Sequence, residues 1–175
     1  DSRILTTRNV VDALPEGQSV VLCSASGAGY YGNRGDDLLN EDGKPGNDFL
    51  ASVSVDWEAE ALKGAAKGLR VALMRFGVVL AKDGGALAKM IPAFRFFVGG
   101  PIGSGNQWFP WIHLTDLMTA ILFVCEHPQV SGPLNFCAPN PVRNRKLASA
   151  LGEVLGRPAL VPAPAFVIRA VLGEF

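Results

Sequence analysis

The chain has 175 residues, 49% of them apolar, and its 16 basic and 16 acidic side chains give a formal net charge of zero. This length fits one domain or part of a larger one, and the apolar share is enough for a sizeable core. Balanced charge argues against a DNA- or RNA-binding protein, which needs a basic face. No apolar run approaches the roughly 18 residues that span a bilayer, so no membrane partner is expected.

The first half of the sequence predicts a βαβ unit. A helix is predicted over 3–14, a buried strand over 19–23, a glycine-rich loop over 27–47, a helix capped by Asp48 and closed by Gly68, and a second strand over 70–75. A long helix between two apolar strands is typical of a crossover connection, so the two strands are predicted to be parallel.

The second half predicts shorter and more varied elements. In chain order they are a helix after Gly84-Gly85 with a kink at Pro92, a loop over 99–110, an extended piece over 111–113, a helix capped by Thr115 or Asp116, a strand over 134–137, a helix over 144–155, an extended stretch over 158–164 and the start of a helix over 165–172.

The segment Gly27-Ala28-Gly29-Tyr30-Tyr31-Gly32 matches the letters of the dinucleotide fingerprint G-x-G-x-x-G. That fingerprint requires a helix to start at its last glycine, with its N-terminus facing the pyrophosphate. Turn residues follow Gly32 instead. A loop at the carboxyl end of a strand is therefore favoured, and such loops line ligand crevices in α/β sheets.

Other motifs leave alternatives open. The hydroxyls of Ser24 and Ser26 are equally suited to bonding a ligand or the loop backbone. Residues 75–80 are interpreted as a strand leading into a loop, in which Gly77 would permit a close approach to a ligand. The loop over 99–108 resembles a lid or substrate loop and lacks the GK[ST] of a phosphate loop. Four loop carboxylates, Asp36, Asp37, Glu41 and Asp42, are expected to be solvated by default, with contact between one of them and a polar substrate as the alternative.

Metal and disulfide sites are not expected. The two histidines, His113 and His127, are isolated, and the three cysteines, Cys23, Cys125 and Cys137, show no CxxC spacing. His127 lies at a predicted helix C-terminus, where a histidine compensates the helix dipole. A reducing compartment, the cytoplasm, is the expected location.

Several segments together carry a resemblance to a known family. They are residues 24–32, 48–51, 57–58, 75–80, 84–87, 99–105, 111–113 and 135–139, in that order. This combination closely resembles the NAD-dependent epimerase/dehydratase-like epimerases, an atypical branch of the extended short-chain dehydrogenases/reductases. Some members of that branch are named as cell-division inhibitors. The resemblance implies an α/β fold with a partial Rossmann-like, doubly wound parallel sheet and a smaller mixed α/β substrate region.

The resemblance also implies roles for individual residues. It assigns 1–80 to the second half of a dinucleotide-binding domain and 81–175 to a substrate region interleaved with the sheet, with further chain expected at both ends. NADP or NAD is the implied cofactor, with NADP preferred. Cofactor contacts are expected at Ser24, Ala25, Ser26, Arg75, Gly77, Val78 and Val79, substrate contacts at Tyr31, Gln107, Trp111 and His113, and catalytic roles at Ser26 and Tyr30.

One departure from the wider superfamily is important. Its Tyr-x-x-x-Lys pair should lie on the helix after Asp48, but counting back from Glu58 places the two positions near Leu50 and Ser54, which cannot do acid–base chemistry. Tyr30, Tyr31 and His113 are the possible substitutes. The sequence thus predicts an NAD(P)(H)-dependent oxidoreductase or epimerase for a small carbonyl or sugar substrate, with a homodimer as a candidate assembly. The alternative is a non-catalytic, cofactor-binding regulator.

Overall fold

The computed structural model describes residues 2–17 and 19–161. In chain order their elements are α1 (Ser2–Ala13), β1 (Val21–Gly27), a 3-10 turn (Ala28–Tyr31), α2 (Phe49–Ala66), β2 (Arg70–Phe76), β3 (Val78–Ala81), α3 (Gly85–Arg95), β4 (Trp108–Phe109), β5 (Trp111–His113), α4 (Leu114–Glu126), β6 (Gly132–Phe136), β7 (Val142–Arg143) and α5 (Asn144–Leu155).

The chain divides into two compact units. The first unit contains residues up to 77 together with 115–136, and the second contains 78–114 together with the described residues from 137 onward. The first unit is built on a three-stranded sheet in the order β1-β2-β6. Both strand pairs are parallel, which confirms the predicted βαβ unit.

Helix α2 covers one face of this sheet. Its N-terminus is capped by the Asp48 side chain, which accepts a hydrogen bond from the Ala51 N–H, and the turn after it passes through Gly68 at φ 81°. Ala61 of the helix packs with Leu69, Val71 and Leu73 in a buried cluster. Each fully buried Val or Leu contributes about 1.5–3 kcal/mol, so this cluster fixes the helix on the sheet.

Strand β1 is longer than the sequence predicted. It begins at Val21 and continues to Gly27, so Ser24 and Ser26 lie inside the strand and not in a loop. In the register of the sheet, Ser24 is opposite Leu73 and Ser26 is opposite Arg75. Short hydroxyl side chains resemble turn residues in a sequence, whereas here the backbone of both serines pairs with β2.

The interpretation of residues 75–80 as a strand leading into a loop was wrong. Phe76 ends β2, Gly77 alone separates the strands, and Val78 starts β3. Strand β3 pairs in parallel with β5, which places it in the second unit. The β-branched pair Val78-Val79 favours this extended conformation.

The second unit is assembled from short pieces. Besides β3 and β5 it contains an antiparallel pair, β4 with β7, which the sequence did not predict. Helix α5 matches its predicted range, and α3 contains Pro92 within its span. Helix α4 begins at Leu114, so Thr115 and Asp116 lie in its first turn and do not cap it as predicted.

Two sequence predictions extend beyond the described residues. The extended stretch over 158–164 is described only to residue 161, and the helix start over 165–172 lies outside the described residues altogether. Within the described ranges, no helix combines the length and apolarity needed to cross a bilayer.

Candidate functional site

A row of three polar residues crosses the first unit's sheet at one level. Ser26 of β1 is in register with Arg75 of β2, which is in register with Asn135 of β6. Residues in register on neighbouring strands point to the same face of a sheet. Because Ser26 and Arg75 both bond to α2, this row faces the helix. It lies one residue before the carboxyl ends of β1, β2 and β6, where ligands bind in open α/β sheets.

Glu58 of α2 is the common acceptor for two members of the row. Its Oε1 accepts from the Ser26 hydroxyl at 2.7 Å and from Arg75 Nε at 2.9 Å, and its Oε2 accepts from Arg75 Nη2 at 2.8 Å. The Arg75 and Glu58 side chains are 4% and 6% exposed. The pair is therefore a buried, two-pronged ion pair of the geometry in which Arg binds carboxylates best.

The remaining donor edge of Arg75 points toward the segment after β1. Arg75 Nη1 donates at 3.0 Å to both the Tyr31 hydroxyl and the Glu41 carbonyl. Burial alone would lower the pKa of Arg75, but the hydrogen bonds to Glu58 and Tyr31 outweigh it and raise the pKa above its ordinary value. Arg75 is thus a permanent buried cation.

Residues 28–46, called the 28–46 loop below, are anchored to the sheet through these groups. The Glu41 carboxylate accepts from the Asn135 backbone N–H at 2.8 Å, and the Tyr31 hydroxyl donates to Asn135 Oδ1 at 2.7 Å. The Gly46 N–H donates to the Tyr30 carbonyl at 2.9 Å and closes the loop on itself. The expectation that all four loop carboxylates are solvated was wrong for Glu41. Its Oε1 accepts from the Asn135 backbone N–H, in the way that a carbonyl of a neighbouring strand would.

The two tyrosines of the loop have different environments. Tyr31 is 4% exposed, and its hydroxyl both donates to Asn135 and accepts from Arg75. Tyr30 is half-buried, and the Arg75 guanidinium carbon lies 3.5 Å from the centre of its ring. The two rings meet edge to face at 5.3 Å. Tyr30 is therefore the more accessible phenol, and the face of its ring contacts the buried Arg75 guanidinium.

The structure also locates the other residues predicted to contact a cofactor. Ser24 is buried, at 7% exposure, while Ala25 and Gly77 are half-buried. The Gly77 N–H donates to the Phe136 carbonyl and continues the β2–β6 pairing beyond the strand end. Val78 and Val79 form part of β3, in register with Trp111 and Ile112 of the second unit.

The residues predicted to contact a substrate fall in different units. Tyr31 is in the first unit, whereas Gln107, Trp111 and His113 are in the second. Trp111 is half-buried and its Nε1 donates to the Asn140 carbonyl at 3.2 Å, while exposed Gln107 donates to the Ile102 carbonyl at 3.0 Å. His113 is exposed at the end of β5.

The glycine-rich loop over 99–107 is bound to the start of α5 rather than standing free. The buried Asn144 side chain accepts from the Ile102 N–H at 2.7 Å, and the Arg145 N–H donates to the Gly105 carbonyl at 2.9 Å. The Asn144 N–H donates to the Gln107 carbonyl at 2.9 Å. Loop carbonyls thus satisfy N–H groups at the helix start, which have no partner within the helix.

The expectation that residues 27–32 are not a dinucleotide fingerprint is confirmed, and the positions counted for the acid–base pair lie on α2. The G-x-G-x-x-G letters contain a 3-10 turn over Ala28–Tyr31, and no α-helix starts between Gly32 and Phe49, so the segment is not a dinucleotide fingerprint. In α2, Leu50 is exposed, and the Ser54 hydroxyl donates to the Leu50 carbonyl within the helix. Neither side chain supplies the phenol or the ammonium of a Tyr-x-x-x-Lys pair.

The sequence reasoning missed Glu58 as a member of the site, although a signal was present. The buried positions of α2 include Ala51, Ser54, Glu58 and Ala61, spaced as one helical stripe. A carboxylate on the buried stripe of a helix requires a cationic or hydrogen-bonding partner. Arg75, a buried charged residue directly after the apolar run Val71–Met74 of β2, is the matching signal.

No group of three or more His, Cys, Asp or Glu side chains in the described ranges is arranged to hold a metal ion. Nor does any buried side-chain nitrogen or oxygen in those ranges lack a hydrogen-bond partner. The chemistry available at this edge of the sheet is therefore that of hydroxyls, carboxylates and one buried guanidinium.

Comparison with known proteins places this arrangement in a family. The profile of the NAD dependent epimerase/dehydratase family matches residues 1–136. The chain is 49% identical over 177 residues to the epimerase family protein SDR39U1 homolog, chloroplastic, of Arabidopsis thaliana, covering 99% of this chain and 51% of that protein. It spans about half the length of the curated relatives it matches.

Solved structures show the same relationship. The human epimerase family protein SDR39U1 (isoform 2), solved with NADPH, superposes with a TM-score of 0.86 at 35% identity, over 99% of this chain and 59% of that one. A nucleoside-diphosphate sugar epimerase from Corynebacterium glutamicum superposes with a TM-score of 0.72 at 32% identity, over 99% of this chain and 37% of that one. The Rossmann-like α/β fold and the family resemblance inferred from the sequence are confirmed.

Proposed function

Because this chain belongs to the NAD dependent epimerase/dehydratase family, we propose that the carboxyl edge of its β1-β2-β6 sheet binds a nicotinamide dinucleotide. The observation that carries the proposal is the set of small, half-buried residues at two adjacent parallel strand ends, Ala25, Gly27 and Gly77. Small residues there leave room for a flat ring against the sheet edge. The human relative was solved with NADPH, and this favours NADP(H) over NAD.

Tyr30 is the group that we assign to proton transfer. When bound, the dinucleotide supplies hydride transfer to or from the substrate carbon. The chain must then hold or release a proton at the substrate oxygen, and Tyr30 carries a half-buried phenol at the same edge of the sheet. The guanidinium beneath its ring fixes the ring plane and takes the place of the missing superfamily lysine as the nearby cation.

The two units take different parts in this proposal. We assign the cofactor to the first unit and substrate contacts to Gln107, Trp111 and His113 of the second. The substrate is a small carbonyl or sugar compound. The similarity to a nucleoside-diphosphate sugar epimerase supports the sugar class.

A second candidate function is supported by one specific observation. Leu50 and Ser54 occupy the helix positions of the usual acid–base pair, and general acid–base catalysis contributes about 10²–10⁴-fold to a rate. A protein that binds the dinucleotide without turning it over would tolerate this loss. Binding and turnover therefore need separate measurements.

The binding proposal is tested by titrating the protein with NADPH and NADH while following nicotinamide fluorescence. In Gly27→Val a side chain enters the edge of the sheet, where an added Cβ meets only ordinary contacts at 3.8 and 3.9 Å, so the fold should persist. We expect this variant to weaken NADPH binding by more than about tenfold, equivalent to about 1.4 kcal/mol. Gly84→Val, at a position with no heavy atom within 4 Å of an added Cβ, is the matched control.

Failure of both dinucleotides to bind, or equal binding by Gly27→Val and wild type, would refute the site. Turnover is then assayed with a panel of carbonyl compounds and nucleotide sugars. Hydride transfer that is lost in Tyr30→Phe supports the enzyme, whereas binding without transfer across the panel supports the non-catalytic alternative.

A further inference from the structure

Burying the Glu58 carboxylate costs free energy, and the residues bonded to it explain why it is buried. It is 5% exposed, and removing a carboxylate and a guanidinium from water costs several kcal/mol per ion. Replacing a buried ion pair with apolar groups is often neutral or stabilising. Stability alone therefore does not explain the Glu58–Arg75 pair. Its role is to hold neighbouring groups in position.

Glu58 sets the plane of the Arg75 guanidinium. Bonds to Nε and Nη2 occupy one edge of the planar group, so its other edge, with Nη1, must face Tyr31 and the Glu41 carbonyl. The face of the same plane supports the Tyr30 ring at 3.5 Å. A guanidinium is rigid, so fixing one edge fixes the other edge and both faces.

We propose that Glu58 is a positioning residue that acts through Arg75 to orient Tyr30 and to anchor the 28–46 loop. The hydrogen bonds of its carboxylate in the described residues go to Ser26 and Arg75, so its effect on the loop and on Tyr30 passes through Arg75. The role assigned to Tyr30 rests on the proposed function. The anchoring of the loop does not depend on it.

Glu58→Gln and Glu60→Gln form a matched pair of variants. Both residues are buried carboxylates in α2, but Glu60 bonds to Arg8 and Lys63 and not to the loop. Glutamine keeps the shape of the side chain and one oxygen that can accept from Ser26 and Arg75 Nε, but the NH2 group in place of Oε2 cannot accept from Arg75 Nη2. The first measurement is backbone hydrogen–deuterium exchange over residues 28–46, without cofactor or substrate.

We expect Glu58→Gln to increase exchange in the 28–46 loop by about tenfold, which corresponds to about 1.4 kcal/mol of lost protection. Glu60→Gln should leave the loop at the wild-type rate. Equal loop exchange in wild type and Glu58→Gln would overturn the proposal. If Glu58→Gln does not fold, the double variant Glu58→Gln/Arg75→Met removes both charges. It should fold with the same raised loop exchange, and a protected loop in it would also contradict the anchoring role.

Turnover provides the second measurement. In Glu58→Gln, kcat should fall by about 10²-fold, the lower end of an acid–base contribution, while KM for NADPH stays within about twofold of wild type. In a Tyr30→Phe background the same substitution should add less than about twofold, because residues acting through one group are not additive. A full additional loss would show that Glu58 does not act through Tyr30. Absence of NADPH binding would refute the proposed function but leave the exchange result standing.

Discussion

Ser26 and Arg75 lie opposite each other on adjacent parallel strands and bond to the same oxygen of Glu58, Oε1, at 2.7 and 2.9 Å. One carboxylate thus ties two strands to the helix that covers them. The same guanidinium then reaches the loop that follows β1. The same side chains stabilise the fold and form the candidate site. Substituting them should therefore change both the stability of the protein and the properties of the site.

Replacing Arg75 should be the most damaging change in this network. Arg75→Met leaves Glu58 buried without a counter-ion, for which the expected loss in the free energy of unfolding is about 3–5 kcal/mol. Urea denaturation measures it. Arg8→Met removes an ion pair whose arginine side chain is 46% exposed, and should have a much smaller effect. Equal effects of the two substitutions would contradict the buried-pair account.

The closure of the 28–46 loop can be tested at Gly46. A Cβ at this position would lie 2.7 Å from the Cα and 2.8 Å from the N of Gly32, and backbone atoms cannot move aside cheaply. Gly46→Ala should therefore reduce the free energy of unfolding by about 1–3 kcal/mol and open the loop to limited proteolysis. Gly84→Ala, in open space and with an extended φ of −169°, should stay within about 0.5 kcal/mol of wild type.

Acid sensitivity should be traceable to Glu60. Hydrogen bonds from Arg8 and then Lys63 lower its pKa to about 2 from its ordinary value near 4.5. A carboxyl whose pKa is lowered by folding contributes stability above its unfolded pKa and loses it as the pH falls toward the folded value. Melting temperatures between about pH 5 and pH 2 should therefore fall less steeply in Glu60→Gln than in wild type. An unchanged slope would show that this carboxylate does not contribute.

The cysteines should differ in reactivity. Burial raises the pKa of the Cys23 thiol, and the neighbouring Cys125 thiol adds to the effect. Cys125 is exposed at the end of α4, whereas Cys23 is half-buried in β1. Because the thiolate is the reactive species, iodoacetamide at mildly alkaline pH should modify Cys125 several times faster than Cys23. Peptide mass mapping over time measures the order, and preferential labelling of Cys23 would contradict it.

The sequence predicted elements whose signal is local. Asp48 as a cap, Gly68 as a helix stop and the apolar runs of β1 and β2 all act within a few residues, and each was confirmed. Pairing between distant residues left no comparable signal. The Glu41 carboxylate accepts from the Asn135 N–H across 94 residues. The two-residue strands β4 and β7 also come from separate parts of the sequence and pair Trp108 with Arg143 and Phe109 with Val142.

The sequence named Ser26 and Arg75 as candidate site residues but not the hydrogen bonds that join them to α2. The sequence pointed to Ser24–Ser26 and Arg75 because they end apolar strands, and the structure brings Ser26 and Arg75 together. It did not show that both side chains turn toward α2, since that depends on the register with β2 and on a glutamate from another element. The alternation of a strand gives two faces, and only tertiary packing decides which face is covered.

The most direct test of the central claim is amide exchange with and without saturating NADPH, read out peptide by peptide. If the carboxyl edge of the β1-β2-β6 sheet is the cofactor site, protection will appear over residues 24–31 and 75–77, and it will be absent in Gly27→Val. Protection confined to other segments, or no change on adding NADPH, would contradict the assignment.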